Sequence, residues 1–77
     1  MKLSELKKGE KARVISVNSS NEMLKRRMLD MGITPNVIIT VKKKAPFGDP
    51  IDVELRGYEL CLRKNDLDGI EVMKLWK

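Results

Sequence analysis

Histidine is absent from this sequence, cysteine occurs once, and phenylalanine, tyrosine and tryptophan occur once each. Without histidine, the usual general base near neutral pH and the commonest transition-metal ligand are both missing. A single cysteine forms no intrachain disulfide and no thiolate cluster, so neither staple of small domains operates within the 77 residues. It also fits a reducing compartment. Cys61 lies in a strand pattern with no base beside it, which reads as a structural or incidental thiol. The five glycines stand singly at turns, so no glycine-rich phosphate loop is present. Ser19 and Ser20 read as helix-start residues without a triad partner. No apolar run approaches the roughly 20 residues that cross a bilayer, and residues 1–6 carry no signal-peptide core. These absences predict a soluble, cytoplasmic chain that is not an enzyme and needs no cofactor.

What is present is charge. Sixteen Lys and Arg against 11 Asp and Glu leave a net +5, which fits nucleic acid, anionic lipid or an acidic protein equally well. Scarce aromatics weigh against single-stranded nucleic acid, whose bases stack on exposed rings at about 1–3 kcal/mol each. Tyr58 is expected to alternate into the core and Trp76 to pack on Leu3 and Leu6. Only Phe47 looks like a loop tip, covering the barrel mouth or meeting a partner. Asp49, Asp52 and Glu54 form either an oxygen-only cation site or a solvated polar face. Lys42, Lys43 and Lys44 serve either an anionic surface or the protection of a strand end.

A chain this short buries only about 60% of its unfolded surface, enough for one thin core. A single domain over residues 1–77 is expected, without repeats or linkers. Leu3 and Leu6 fit one helical turn, and residues 7–10 form a turn about Gly9. A strand follows over 12–17. Ser19 and Glu22 have capping-box spacing at the start of a helix. Its stripe is Leu24, Met28 and Met31; Lys25, Arg26 and Asp30 face away. Leu29 falls outside the stripe, either covered by a neighbouring element or exposed. Gly32 fits the left-handed stop after the helix, Pro35 prevents its resumption, and Asn36 tolerates positive φ. Residues 37–41 read as a buried strand. Ile51, Val53 and Leu55 alternate with Asp52, Glu54 and Arg56, and Tyr58, Leu60 and Leu62 share one face after a turn at Gly57. A helical turn at 64–68 and a last strand from Ile70 complete the pattern. The expected fold is mainly β: a small SH3-like barrel of about five strands with an inserted helix and short helical turns.

The run from Arg27 to Asn36 (Arg-Met-Leu-Asp-Met-Gly-Ile-Thr-Pro-Asn) resembles the helix-to-strand signature of the ferrous iron transport protein A family, FeoA. Residues 47–51, 57–63 and 70–72 resemble its later loop and closing strands, and Gly9 with Ala12 its first turn and strand. Asn36 stands where the family commonly has glycine, and Leu67 where it often has alanine. The resemblance implies a small SH3-like accessory protein of ferrous iron uptake that binds FeoB, the membrane Fe²⁺ transporter with a GTP-binding domain. Contact with the membrane would then come only through that partner. Arg26, Leu29, Lys42, Lys43, Lys44 and Phe47 are the expected contact residues. A small basic nucleic-acid-binding barrel is the alternative, and self-association through an uncovered strand edge is left open.

Overall fold

The computed structural model describes residues 1–18, 21–47, 49–67 and 69–75. A 3₁₀ turn over Leu3–Glu5 precedes strand β1 (Lys11–Val17), helix α1 (Glu22–Asp30), and strands β2 (Ile38–Lys44), β3 (Ile51–Leu55) and β4 (Tyr58–Leu62). A short helix α2 (Lys64–Leu67) leads into strand β5 (Ile70–Lys74). The five strands form one sheet in the order β4-β3-β2-β1-β5 with every neighbouring pair antiparallel. This is the expected SH3-like architecture, with α1 inserted between the first two strands.

Period-two alternation builds the interior. Ala12, Val14 and Val17 of β1, Ile39 and Val41 of β2, and Ile51, Val53 and Leu55 of β3 are all buried. They share one cluster with Leu62, Ile70, Val72, Leu67 and both Leu3 and Leu6. The edge of β5 is partly covered, because Lys2 bridges to Glu71 and Val72 N–H donates to the Met1 carbonyl at 2.8 Å. Bulges between Val14 and Ser16 in β1 and between Val41 and Lys43 in β2 bend the inner strands of this small sheet.

Helix α1 begins at Asn21, whose side chain accepts from Met23 N–H (3.0 Å) and Leu24 N–H (3.2 Å) and satisfies two orphan donors. Ser19, the expected cap, lies outside the described residues, as does Trp76. The helix ends in a Schellman motif: Ile33 N–H donates to Met28 O and Gly32 N–H to Leu29 O, both at 3.0 Å. Gly32 adopts φ +93°, and Met28 and Ile33 bury the hydrophobic contact that accompanies the motif. Asn36 follows with φ 77°, the left-handed tolerance expected of it. The β3–β4 hairpin turns on Arg56 (φ 50°) and Gly57 (φ 83°), the paired positive φ values of a type I′ turn.

Two strand expectations change. β2 does not stop at Val41 but runs through the three lysines, because Lys43 pairs with Asp52 and Lys44 with Ile51. Tyr58 is exposed and not part of the core. It shares a face with Leu62, but β4 is an edge strand, and at its hairpin end the buried partner Leu55 belongs to the core while Tyr58 does not. Its hydroxyl instead donates to the Met31 carbonyl at the end of α1.

Candidate protein-interaction surface

Among the described residues no group of three or more His, Cys, Asp or Glu converges in a way that could hold a metal ion. No helix among them is long and apolar enough to cross a membrane. Asp52 is half-buried on β3 opposite Cys61 of β4, and Glu54 lies 3.9 Å from Lys42 Nζ. A hydrogen bond to the Asp52 carboxylate, some burial and the same negative charge push the Cys61 thiol above its usual range. A less ionised thiol is a weaker nucleophile, so this microenvironment quiets an otherwise exposed cysteine. The Glu10 carboxyl is held below the ordinary range, chiefly by its bond to Lys74, with Lys7 N–H donating to it at 2.6 Å.

The remaining chemistry is surface chemistry, concentrated on α1. Met23 is 84% exposed and stands among shallow depressions lined by Glu22, Arg26, Arg27, Asp30 and Met31. Its place one residue before the buried stripe turns it outward, beside two guanidinium groups able to reach a carboxylate. Phe47, at the tip of the β2–β3 connection, is 97% exposed.

The six expected contact residues divide on this geometry. Arg26 and Phe47 are exposed, as are Lys42 and Lys43, although Lys42 lies near Glu54. Leu29 is half-buried and packs against the core, which resolves its off-stripe position in favour of a covering neighbour. Lys44 is also half-buried. Its Nζ donates to the carbonyls of Ser4 (2.9 Å) and Leu6 (3.0 Å), securing the N-terminal turn to β2. Met23 and Arg27 were missed by pattern reading. The available signal was a large apolar residue on the polar side of a strongly charged helix.

The FeoA-domain model of protein families matches residues 1–74. The chain belongs to the FeoA family. A curated relative from Porphyromonas gingivalis, the Fe(2+) transport protein A/Fe(2+) transporter FeoB fusion protein, is 36% identical over 72 residues. That match takes in 94% of this chain but only 8% of the relative, so this FeoA domain spans a small part of that protein. The FeoA-like protein of Clostridium acetobutylicum is 38% identical with TM-score 0.88, covering all of this chain and 88% of that one. The zinc-complexed FeoA of Stenotrophomonas maltophilia, described as an SH3-domain protein, is 28% identical with TM-score 0.83, over 95% and 89% of the two chains. The names of these relatives tie the FeoA family to ferrous iron transport, and the SH3-like fold is common to them and to this FeoA domain.

Proposed function

We propose that this FeoA domain is an accessory module of ferrous iron uptake that acts by binding a FeoB-type transporter, and not as an enzyme. The observation that carries the reading is the relative in which an FeoA segment and a FeoB transporter share one polypeptide. Two functions fused in one chain are held at high effective concentration, which serves partners that meet as separate chains elsewhere. The module acts in the cytoplasm, where a transporter's GTP-binding domain is accessible. The contact surface comprises Met23, Arg26 and Arg27 of α1 with Lys42, Lys43 and Phe47. This set joins exposed Met and Phe side chains to guanidinium groups, residue types enriched at interfaces, with the two lysines adding positive charge. Leu29, packed on the core, and Lys44, bonded to the Ser4 and Leu6 carbonyls, are left out of it.

The test is a titration of the labelled domain against purified FeoB-type transporter at physiological salt, with mixed-sequence RNA in parallel. Saturable binding to the transporter, weakened about tenfold or more by Met23→Glu with Arg26→Glu, is the expected result. Binding to RNA alone, with a steep salt dependence, would overturn the reading in favour of a nucleic-acid-binding barrel.

A further inference from the structure

We propose that the outer face of the β2-β1-β5 sheet is a second docking surface, shaped for an amphipathic helix that carries acidic residues within its apolar stripe. This inference goes beyond the assignment of a transporter partner and does not depend on it. The register places Arg13 of β1 directly between Ile38 of β2 and Met73 of β5. One step along, Lys11 lies opposite Thr40, and Leu75 N–H donates to the Lys11 carbonyl at 2.9 Å. Ile15, at the β1 bulge, extends the same face. Ile15, Ile38, Met73 and Leu75 are 37–52% exposed, on the side of the sheet where alternation normally places polar residues. Together they leave on the order of 300 Å² of apolar side chain in water, the size at which a monomer's largest patch is often functional.

The charges identify the occupant. Arg13 lies on the middle strand between two apolar residues and Lys11 between Thr40 and Leu75, and neither cation forms an ion pair among the described residues. The acidic residues near them in register are already engaged: Glu71 by the Met1 amine (3.2 Å) and Lys2 (3.9 Å), and Glu54, in the row Lys11–Thr40–Glu54, by Lys42 (3.9 Å). Covering two central cations with apolar surface alone would strand them, so each needs a carboxylate from the partner. A membrane surface calls for the opposite layout, with an apolar centre and a basic rim. A second copy of this chain would set like charges against each other across a two-fold axis.

Helix dimensions match the patch. Residues two apart on a strand are separated by about 6.8 Å, and carboxylates four apart on a helix by about 6 Å along its axis. The three strands span about 10 Å between their outer members, close to the 10–12 Å diameter of a helix.

The test is a magnetic resonance titration of the isotope-labelled full chain with a synthetic helix of about 18 residues. Its leucine stripe carries two Glu at i and i+4, and control peptides carry Gln or Lys there. The expected result is saturable shifts centred on Arg13, Ile38 and Met73, with the Gln peptide about tenfold weaker. Arg13→Glu should weaken the Glu peptide about tenfold and strengthen the Lys peptide, a reversal that a folding defect cannot produce. Equal affinity for the Glu and Gln peptides, shifts confined to α1, or no saturation by about 1 mM would overturn the proposal. So would preferential binding to phosphatidylserine vesicles, or the same shifts appearing on concentrating the chain alone. None of these outcomes bears on binding of the transporter.

Discussion

Gly32 and Gly9 have nearly the same backbone angle, φ +93° and +87°, in different surroundings. A Cβ at Gly9 meets nothing within 4 Å, whereas one at Gly32 would collide with the Tyr58 hydroxyl. Gly9→Ala therefore costs only the left-handed backbone, about 1–2 kcal/mol for a residue with a Cβ. Gly32→Ala carries that cost and in addition drives the hydroxyl from the Met31 carbonyl. Losing that hydrogen bond costs about 1 kcal/mol more, for a total of about 2–3 kcal/mol. Nothing else opposes the new methyl, since Tyr58 Cζ at 3.6 Å and Leu55 Cδ1 at 3.7 Å are ordinary contacts. Tyr58→Phe removes the same hydrogen bond by itself, so the two substitutions must be sub-additive by about 1 kcal/mol in a double-mutant cycle. Urea unfolding followed by circular dichroism, with unchanged slope, gives the four free energies. In thermal melts each kcal/mol is worth about 4–8 °C for a chain of this size. Should Gly32→Ala prove no costlier than Gly9→Ala, or the cycle close to within about 0.3 kcal/mol of additivity, the link between β4 and the end of α1 does not exist as described.

Three further outcomes are expected. Asp52→Asn frees the Cys61 thiol from the carboxylate that raises its pKa, so iodoacetamide modifies Cys61 faster at pH 8, as read by mass spectrometry. Because Glu10 has its folded-state pKa below the ordinary carboxyl value of 4.5, its ion pair stabilises the fold above that value and is lost as pH falls through the depressed one. Glu10→Gln should accordingly flatten the acid limb of a stability–pH profile while changing the difference between pH 7 and pH 9 little. Leu29→Glu drives a charge toward the core and should cost about 2 kcal/mol or more, whereas Met23→Glu on the open face stays within about 0.5 kcal/mol of the parent. Equal denaturation midpoints for these two variants would contradict the burial assigned to Leu29.

The sequence by itself determined the local geometry of this FeoA domain. Positive φ at Gly9, Gly32 and Asn36 follows from sterics within a few residues, and the burial of Ile51, Val53 and Leu55 follows from the period of the strand. The count of short strand patterns around one helix was enough to indicate an SH3-like barrel, and the resemblance of the Arg27–Asn36 run and the later motifs to indicate the FeoA family. Tertiary structure decided whatever depends on which segments become neighbours. Tyr58 alternates correctly for the core, yet stays exposed on the edge strand, its hydroxyl reaching the Met31 carbonyl at the end of α1. Lys44 looked like one of three equivalent surface cations, until folding brought the Ser4 and Leu6 carbonyls to its ammonium group. Leu29 broke the helical stripe, and only the packing of α1 on the barrel showed that it is covered. The row Ile38–Arg13–Met73 is the strongest case, because β-pairing assembles it from three distant segments. Backbone sterics act over a few bonds and are written locally; register is set by the whole interior closing at once, and no single stretch of sequence contains it.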